Sequence, residues 1–313
     1  MNLRSTRGAF CSALSAAVLS PALGQTSALT KLRIAGIVVE DIAPIYYAQT
    51  SGIFAKNGLD VEFDAATGGA AVVAAITAGA YDIGKASVIS SFRAVSRGIP
   101  VVAVAPGWIF DAANSSAELV VATDSTIKSG TDLNGKTIAV GSLKELNQLA
   151  AMAWVDKHGG DSKTLQFIEL PVASSAAAVA SHRVDATVLL EPALTDALSL
   201  STVRSIGSAF GAIAPTFPVS LWIANRTWAT AHPAQTRAFA RSLSEASQYI
   251  NRHPDVAVSI LAAKTGTSAD SLRRIKRVMD GTSLTAEMLQ PLLVAAQRYV
   301  GMPAISLSDF IIS

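Results

Sequence analysis

Hydrophobic positions along the first hundred residues alternate between two periods. Residues 31–39 (KLRIAGIVV) read as a strand. Pro44 then opens a short helix carrying Tyr46 and Tyr47, which Gly52 stops. After Gly58 the chain turns to a strict period of two, with Leu59, Val61 and Phe63 set against Asp60, Glu62 and Asp64. Thr67-Gly68-Gly69 introduces a helix with Val72, Val73, Ile76 and Ala80 on one side. A short strand over 81–84 and the loop Lys85-Ala86-Ser87 lead to a helix with Ile89, Phe92 and Val95 at spacings of three. Residues 101–105 are uniformly apolar, the mark of a strand buried on both faces. Such alternation predicts a mostly parallel sheet with helices on both sides.

The segment 106–116 breaks this pattern and reads as a connection. A second block follows, with strands over 118–122, 136–140, 165–170, 186–190 and 203–206. Its helices are expected after Gly141-Ser142, with Leu146, Leu149, Ala150, Ala153 and Trp154 on one face, and over 172–181. Residues 215–218 form a second connection and 219–224 one more strand. The remainder reads as helical: one helix from Pro233 with Phe239, Leu243, Ala246 and Ile250 inward, one from Pro254 to Gly266, and two capped by Ser268 and Thr285.

Residues 1–24 have the layout of a secretory leader, with Arg4 and Arg7 ahead of a short apolar run and a small-residue cleavage pattern at Gly24. Without those two arginines the formal charge of +2 falls to zero. A neutral chain without a basic run argues against nucleic acid or an anionic membrane as partner. No later run of apolar residues is long enough to cross a bilayer. The single cysteine, Cys11, lies in the leader, and Phe10 before it spoils a lipoprotein-type cleavage site. A free, exported protein without disulfides or thiolate chemistry is expected.

The four histidines, His158, His182, His232 and His253, stand at helix-end signals and lack partners at metal-ligand spacing. Nucleophile-elbow, P-loop and dinucleotide-binding motifs are absent. No metal, no cofactor and no catalysis are expected. Five loops after strands recur instead: 40–43, 67–69, 85–87, 141–142 and 171–174. In open α/β sheets such loops face one crevice, where helix N-termini suit polar or anionic ligand groups. Each loop could equally be an ordinary helix cap. Tyr46 and Tyr47 point about 100° apart on a helix. One can pack inward while the other lines the crevice, and Tyr46 is the expected lining residue. Lys85 can pair with an anion or extend to solvent, and the latter is expected. Glu191, before Pro192, is a ligand contact or a cap.

PIYYAQTSGIFAKNGLDVEF followed by GGAAVVAAITAGAYDIG resembles the periplasmic solute-binding proteins of the alkanesulfonate, nitrate, taurine and pyrimidine-precursor transporter family. The resemblance continues through ATDSTIKSGTDLNGKTIAVGS, SHRVDATVLLEP and NRTWATAHPAQTRAF, covering about residues 31–310. It implies a two-lobed clamshell of the type II binding-protein kind. One lobe would comprise 31–107 and, after the chain returns, 217–313; the other would comprise 108–216. By position, Glu40, Asp41, Tyr46, Gly69, Ala86, Ser87, Trp108, Ser142 and Glu191 fall where the family lines its cleft. The implied role is periplasmic capture of a small solute (a sulfonate, carboxylate or heteroaromatic) by a monomer that serves an ABC permease at the inner membrane. Two alternatives are a periplasmic sensor docking on a receptor, and a pyrimidine synthase on the same scaffold. The synthase uses cysteines and an early histidine, whereas after residue 24 this chain has no cysteine, and no histidine precedes His158.

Overall fold

The computed structural model describes residues 1–2 and 28–312. Apart from Met1 and Asn2, the expected leader lies outside the described residues. The chain begins as β1 (Thr30–Gly36), makes a 3-10 turn over Glu40–Ile42, and continues through α1 (Ala43–Thr50), α2 (Ile53–Lys56), β2 (Leu59–Ala65) and α3 (Gly69–Thr77). It goes on through β3 (Ile83–Ser87), α4 (Val88–Ser96) and β4 (Val101–Pro106). The second block follows β5 (Trp108–Asp111) and contains β6 (Ala117–Ala122), β7 (Thr137–Val140), α5 (Leu146–Lys157), β8 (Gln166–Glu169), α6 (Val172–Ala180), β9 (Ala186–Leu190), α7 (Ala193–Ser199) and β10 (Val203–Ser208). After β11 (Thr216–Pro218) come β12 (Ser220–Asn225), α8 (Arg226–Ala231), α9 (Pro233–Arg252), α10 (Pro254–Thr265), α11 (Ala269–Arg274), β13 (Met279–Asp280), α12 (Ala286–Val300) and α13 (Leu307–Phe310).

The two main sheets share one topology. The first is ordered β2-β1-β3-β12-β4 and the second β8-β7-β9-β6-β10. In each, one strand runs against its neighbours: β12 in the first and β6 in the second. Both are the first main-sheet strand after the chain crosses from one sheet to the other. The remaining strands of each sheet run one way, as the alternation of strands and helices requires. The fold is therefore the expected two-lobed clamshell of mostly parallel sheets.

Burial follows the periodicity. β2 hides Leu59 and Val61 and exposes Asp60 and Glu62, while every residue of β4 is buried. On α9, Phe239, Leu243, Ala246 and Ile250 form a buried stripe. Phe239 packs against Phe54 of α2 and Trp222 of β12. Full burial of such a ring contributes about 1.5–3 kcal/mol. The helix signals act as expected: Ser268 and Thr285 accept from the N–H groups of Ser271 and Met288, and Gly266 and Gly301 end their helices with positive φ. Three histidines close helices by a shared device. The rings of His158, His232 and His253 stack on Trp154, Trp228 and Tyr249 four residues earlier, with Nδ1 on that residue's carbonyl oxygen.

Two expectations need correction. Lys85-Ala86-Ser87 is not a loop but the last part of β3, because β12 pairs with it through Ser220 opposite Ser87. The chain passes from strand to helix at Ser87, whose Oγ accepts from Ser90 N–H. The tail is not wholly helical either: β13 pairs with β5, which also pairs with β11. This third sheet sits at the crossings. Phe110, Phe210 and Phe217 form a fully buried aromatic cluster there, with centroids 5.2–5.9 Å apart.

Close packing of α3 on β3 depends on Gly84. A Cβ there would stand 2.4 Å from Val72 Cγ1 and 2.8 Å from Ile76 Cδ1. Gly84→Ala is expected to cost about 1–3 kcal/mol through overpacking. Urea denaturation of wild type and variant would measure it, and an unchanged midpoint would contradict this packing.

Candidate ligand-binding cleft

The strands that run one way in each sheet deliver their C-terminal ends to a common crevice. A cavity of about 470 Å³ lies there. From the first block it is walled by Ile37, Val39, Glu40 and Asp41 after β1, by Lys85, Ala86 and Ser87 of β3, and by Val219 and Ser220 at the start of β12. From the second block come Ser116, Asn147, Val172, Leu190, Glu191, Pro192 and Ala193. Trp108 and Val278 close it at the crossings.

Six of the sequence-derived site residues therefore meet: Glu40, Asp41, Ala86, Ser87, Trp108 and Glu191. Three lie elsewhere. The Tyr46 ring packs edge-on against Phe63 at 5.5 Å, beneath the Lys264 ammonium, while Tyr47 stacks on Tyr249 at 4.4 Å. Gly69 begins α3 against α4, where a Cβ would press Ser90 Oγ at 3.1 Å. Ser142 is exposed and donates to the neighbouring Gly141 carbonyl. The helix expected directly after it begins only at Leu146, behind a turn in which Lys144 has positive φ.

Lys85 does not reach solvent. Its side chain is 3% exposed and forms an ion pair with Asp41, itself 2% exposed. Asp41 also accepts from Ser220 Oγ, and Ser220 Oγ accepts from Trp108 N–H at 2.9 Å. Gly107 makes this possible, because a Cβ there would stand 2.2 Å from Ser220 Oγ. One buried ion pair thus ties the loop after β1, β3, β12 and the start of β5.

Glu40 lies deeper than its neighbours suggest. Its side chain is 8% exposed; Oε1 accepts from Val278 N–H at 3.1 Å and stands 2.9 Å from Arg277 Nη1. Arg277 Nη1 and Glu40 Oε2 each have no hydrogen-bond partner among the described residues. Burial pushes its carboxyl up to about 7, against the opposing pull of the Arg277 guanidinium and the Val278 N–H. Behind it, the two carboxyl oxygens of fully buried Asp280 have no partner among the described residues, and burial raises the group well above the usual carboxylate range. Glu191 is raised by burial in turn. Its carboxylate receives Thr195 N–H at 3.1 Å, Thr195 Oγ1 at 3.0 Å and Lys276 N–H at 3.4 Å, so it caps the following helix while lining the cavity.

Sequence reading overlooked Glu145. Ser87 Oγ and Ser90 Oγ donate to its carboxylate at 3.0 and 2.9 Å, and Arg93 Nη1 does so at 2.9 Å. The residue bridges the blocks at the N-terminus of α4. Its sequence signal, an acidic residue just before an apolar helical stripe, does not differ from that of an ordinary helix cap. Arg277, Val278 and Asp280 were overlooked because a two-residue strand has no readable period. Among the described residues, no three His, Cys, Asp or Glu side chains gather as a metal cluster would require.

A two-lobed α/β scaffold with a cavity between paired sheet edges has the architecture of a periplasmic binding protein. Residues 39–257 match the family described as NMT1/THI5 like, and the chain belongs to that family. A taurine-binding periplasmic protein of Escherichia coli (strain K12) is 29% identical over 221 residues, which is 68% of this chain and 65%, just under two thirds, of that relative's length. The crystal structure of the periplasmic aliphatic sulphonate binding protein of Escherichia coli superimposes with a TM-score of 0.74 at 19% identity, covering 90% of this chain and 92% of that one. The periplasmic nitrate-binding protein of Synechocystis PCC 6803 does so at 0.71 and 14%, covering 90% and 84%. These two likenesses concern the fold.

Two outcomes follow from the buried charges. Lys85→Met strands the Asp41 carboxylate and should cost about 3–5 kcal/mol. Combining it with Asp41→Asn should recover part of that loss in urea denaturation; equal losses for single and double variants would deny the pairing. Glu40 should also make stability depend on pH. The folded state holds its proton where the unfolded chain has lost it. The resulting stabilisation is complete below the ordinary value of 4.5 and disappears as pH rises through about 7. Across that window it amounts to about 3 kcal/mol. Between pH 5 and 8 the urea midpoint of wild type should fall more than that of Glu40→Gln; equal slopes would contradict the assignment.

Proposed function

We propose that this chain is the solute-capturing component of an ABC importer. It holds one small organic molecule between its lobes and presents it, chemically unchanged, to a permease at the inner membrane. Residues 31–107 and 217–313 act as one lobe and 108–216 as the other, with the β5 and β11 crossings as the hinge. Residues 1–24 serve as the leader that takes the chain to the periplasm, where it works as a monomer.

The observation that carries this reading is the cavity itself. It draws its walls from both sheets and from the crossings, and its volume is in the range of small-molecule sites. Apolar walls such as Val39, Trp108, Val172 and Leu190 surround a few polar groups, as in a site that gains affinity from desolvation and orientation from hydrogen bonds. Family membership and the names of the relatives support the same role. Among the predicted residues, Glu40, Ser87, Trp108 and Glu191 are assigned to the ligand site, and Asp41 and Ala86 shape its floor.

A thermal-shift panel of sulfonates, aromatic carboxylates, pyrimidines, nitrate, amines and short amides tests the proposal. A ligand at 100 times its dissociation constant adds about 2.7 kcal/mol. That corresponds to a rise of about 5–10 °C for a protein of this size. Val172→Trp, at a half-exposed position on the cavity wall, should abolish the shift while leaving the unliganded melting temperature within about 2 °C. A shift that survives the filled cavity would place the ligand elsewhere, and steady consumption of the ligand would make the protein an enzyme.

A further inference from the structure

The cavity is prepared differently for the two signs of charge. The N-terminus of α4 is where helix geometry would favour an oxyanion. Ser87 Oγ, Ser90 Oγ and Arg93 Nη1 all converge there, and all three bind Glu145. A carboxylate of the protein thus occupies the position that a ligand's anionic group would seek. Lys85, the cation on the cavity wall, is committed to Asp41.

Glu40 is in the opposite condition. Its side chain is more than nine-tenths buried, it lines the cavity, and its Oε2 has no hydrogen-bond partner among the described residues. A buried acceptor left unpaired is costly, and a donor supplied by a ligand would recover that cost. The surroundings add to the preference. Burial leaves Glu40 partly protonated near neutral pH, and a cationic donor on its carboxyl would hold it ionised. A bare anion at this end would oppose that ionisation, and a cation would favour it.

We propose that the cleft selects a small organic ligand carrying a protonated amine or paired N–H donors, bound through Glu40 Oε2, and that Glu145 excludes ligands recognised by an oxyanion. The proposal rests on the capture reading above and specifies its ligand class. The apolar walls would enclose the ligand's carbon skeleton. Glu40 would orient its donor end.

The test uses the full chain and probes matched in skeleton but opposite in end group: benzylamine against benzoate, tryptamine against indole-3-acetate, and 4-aminopyrimidine against pyrimidine-4-carboxylate, with ethanesulfonate as a further anion. Thermal shift finds responders and calorimetry measures their affinity. The expected result is a response from donor-bearing members, weakened roughly tenfold or more in Glu40→Gln. Glu40→Asp, which keeps the charge but draws it back, should weaken the same members if Glu40→Gln fails to fold. Glu145→Ala should gain a response to ethanesulfonate or benzoate. Shifts from anions alone in wild type would overturn the inference and leave solute capture standing. A donor-dependent response unchanged by either Glu40 variant would overturn the Glu40 assignment, and a silent Glu145→Ala would overturn the exclusion. Silence of the whole panel in every variant would count against both this inference and the capture reading.

Discussion

The ion pair between Asp41 and Lys85 is the constraint around which the cleft is organised. Both side chains are almost entirely removed from water. Desolvating two such charges costs several kcal/mol each, a cost that their attraction offsets only when the geometry and remaining hydrogen bonds are good. Ser220 supplies the further hydrogen bond to Asp41 and in turn receives the backbone N–H of Trp108. The pair therefore holds together pieces of chain that are far apart in sequence: the turn after β1, the end of β3, the first residue of β12 and the first of β5. Gly107 belongs to the same construction, since a side chain there would displace Ser220.

Because the protein's own lysine neutralises Asp41, neither charge is available to a ligand. The remaining groups decide what the cavity can hold. Glu40, with a buried oxygen lacking a partner among the described residues, and Glu191, committed on two sides to Thr195 and Lys276, line the crossing side of the cavity with carboxyl groups. Glu145 has already claimed the α4 N-terminus. Relatives named for taurine, sulphonate and nitrate share the scaffold, but the scaffold does not dictate which charge this cleft accepts.

Much of the architecture was legible because period and punctuation agreed. The alternation in β2, the unbroken apolar run of β4 and the α9 stripe identify their elements and buried faces from sequence. Of the loops after the strands, those following β1 and β3 bring Glu40 and Ser87 to the cavity, whereas Trp108 and Glu191, which also line it, were placed there by the family resemblance. The failures have physical causes. Two adjacent tyrosines cannot show which way a helix is turned about its axis; Phe63 and Tyr249, remote in sequence, draw Tyr46 and Tyr47 away from the cleft. Lys85 read as a solvent-seeking side chain because its partner lies forty-four residues earlier. Ser142 follows β7 as expected, but the turn through Lys144 postpones the helix and leaves Ser142 outside. The contributions of β13 and Glu145 exist only through pairings between distant segments, and no local pattern records them.

The most direct measurement of the central claim is native mass spectrometry of the purified chain mixed with a solute that raises its melting temperature. The account predicts one molecule bound per chain, released with its mass unchanged, and no such adduct when Val172→Trp fills the cavity. A ligand released in altered form, or an adduct that forms equally well on the filled cavity, would contradict it.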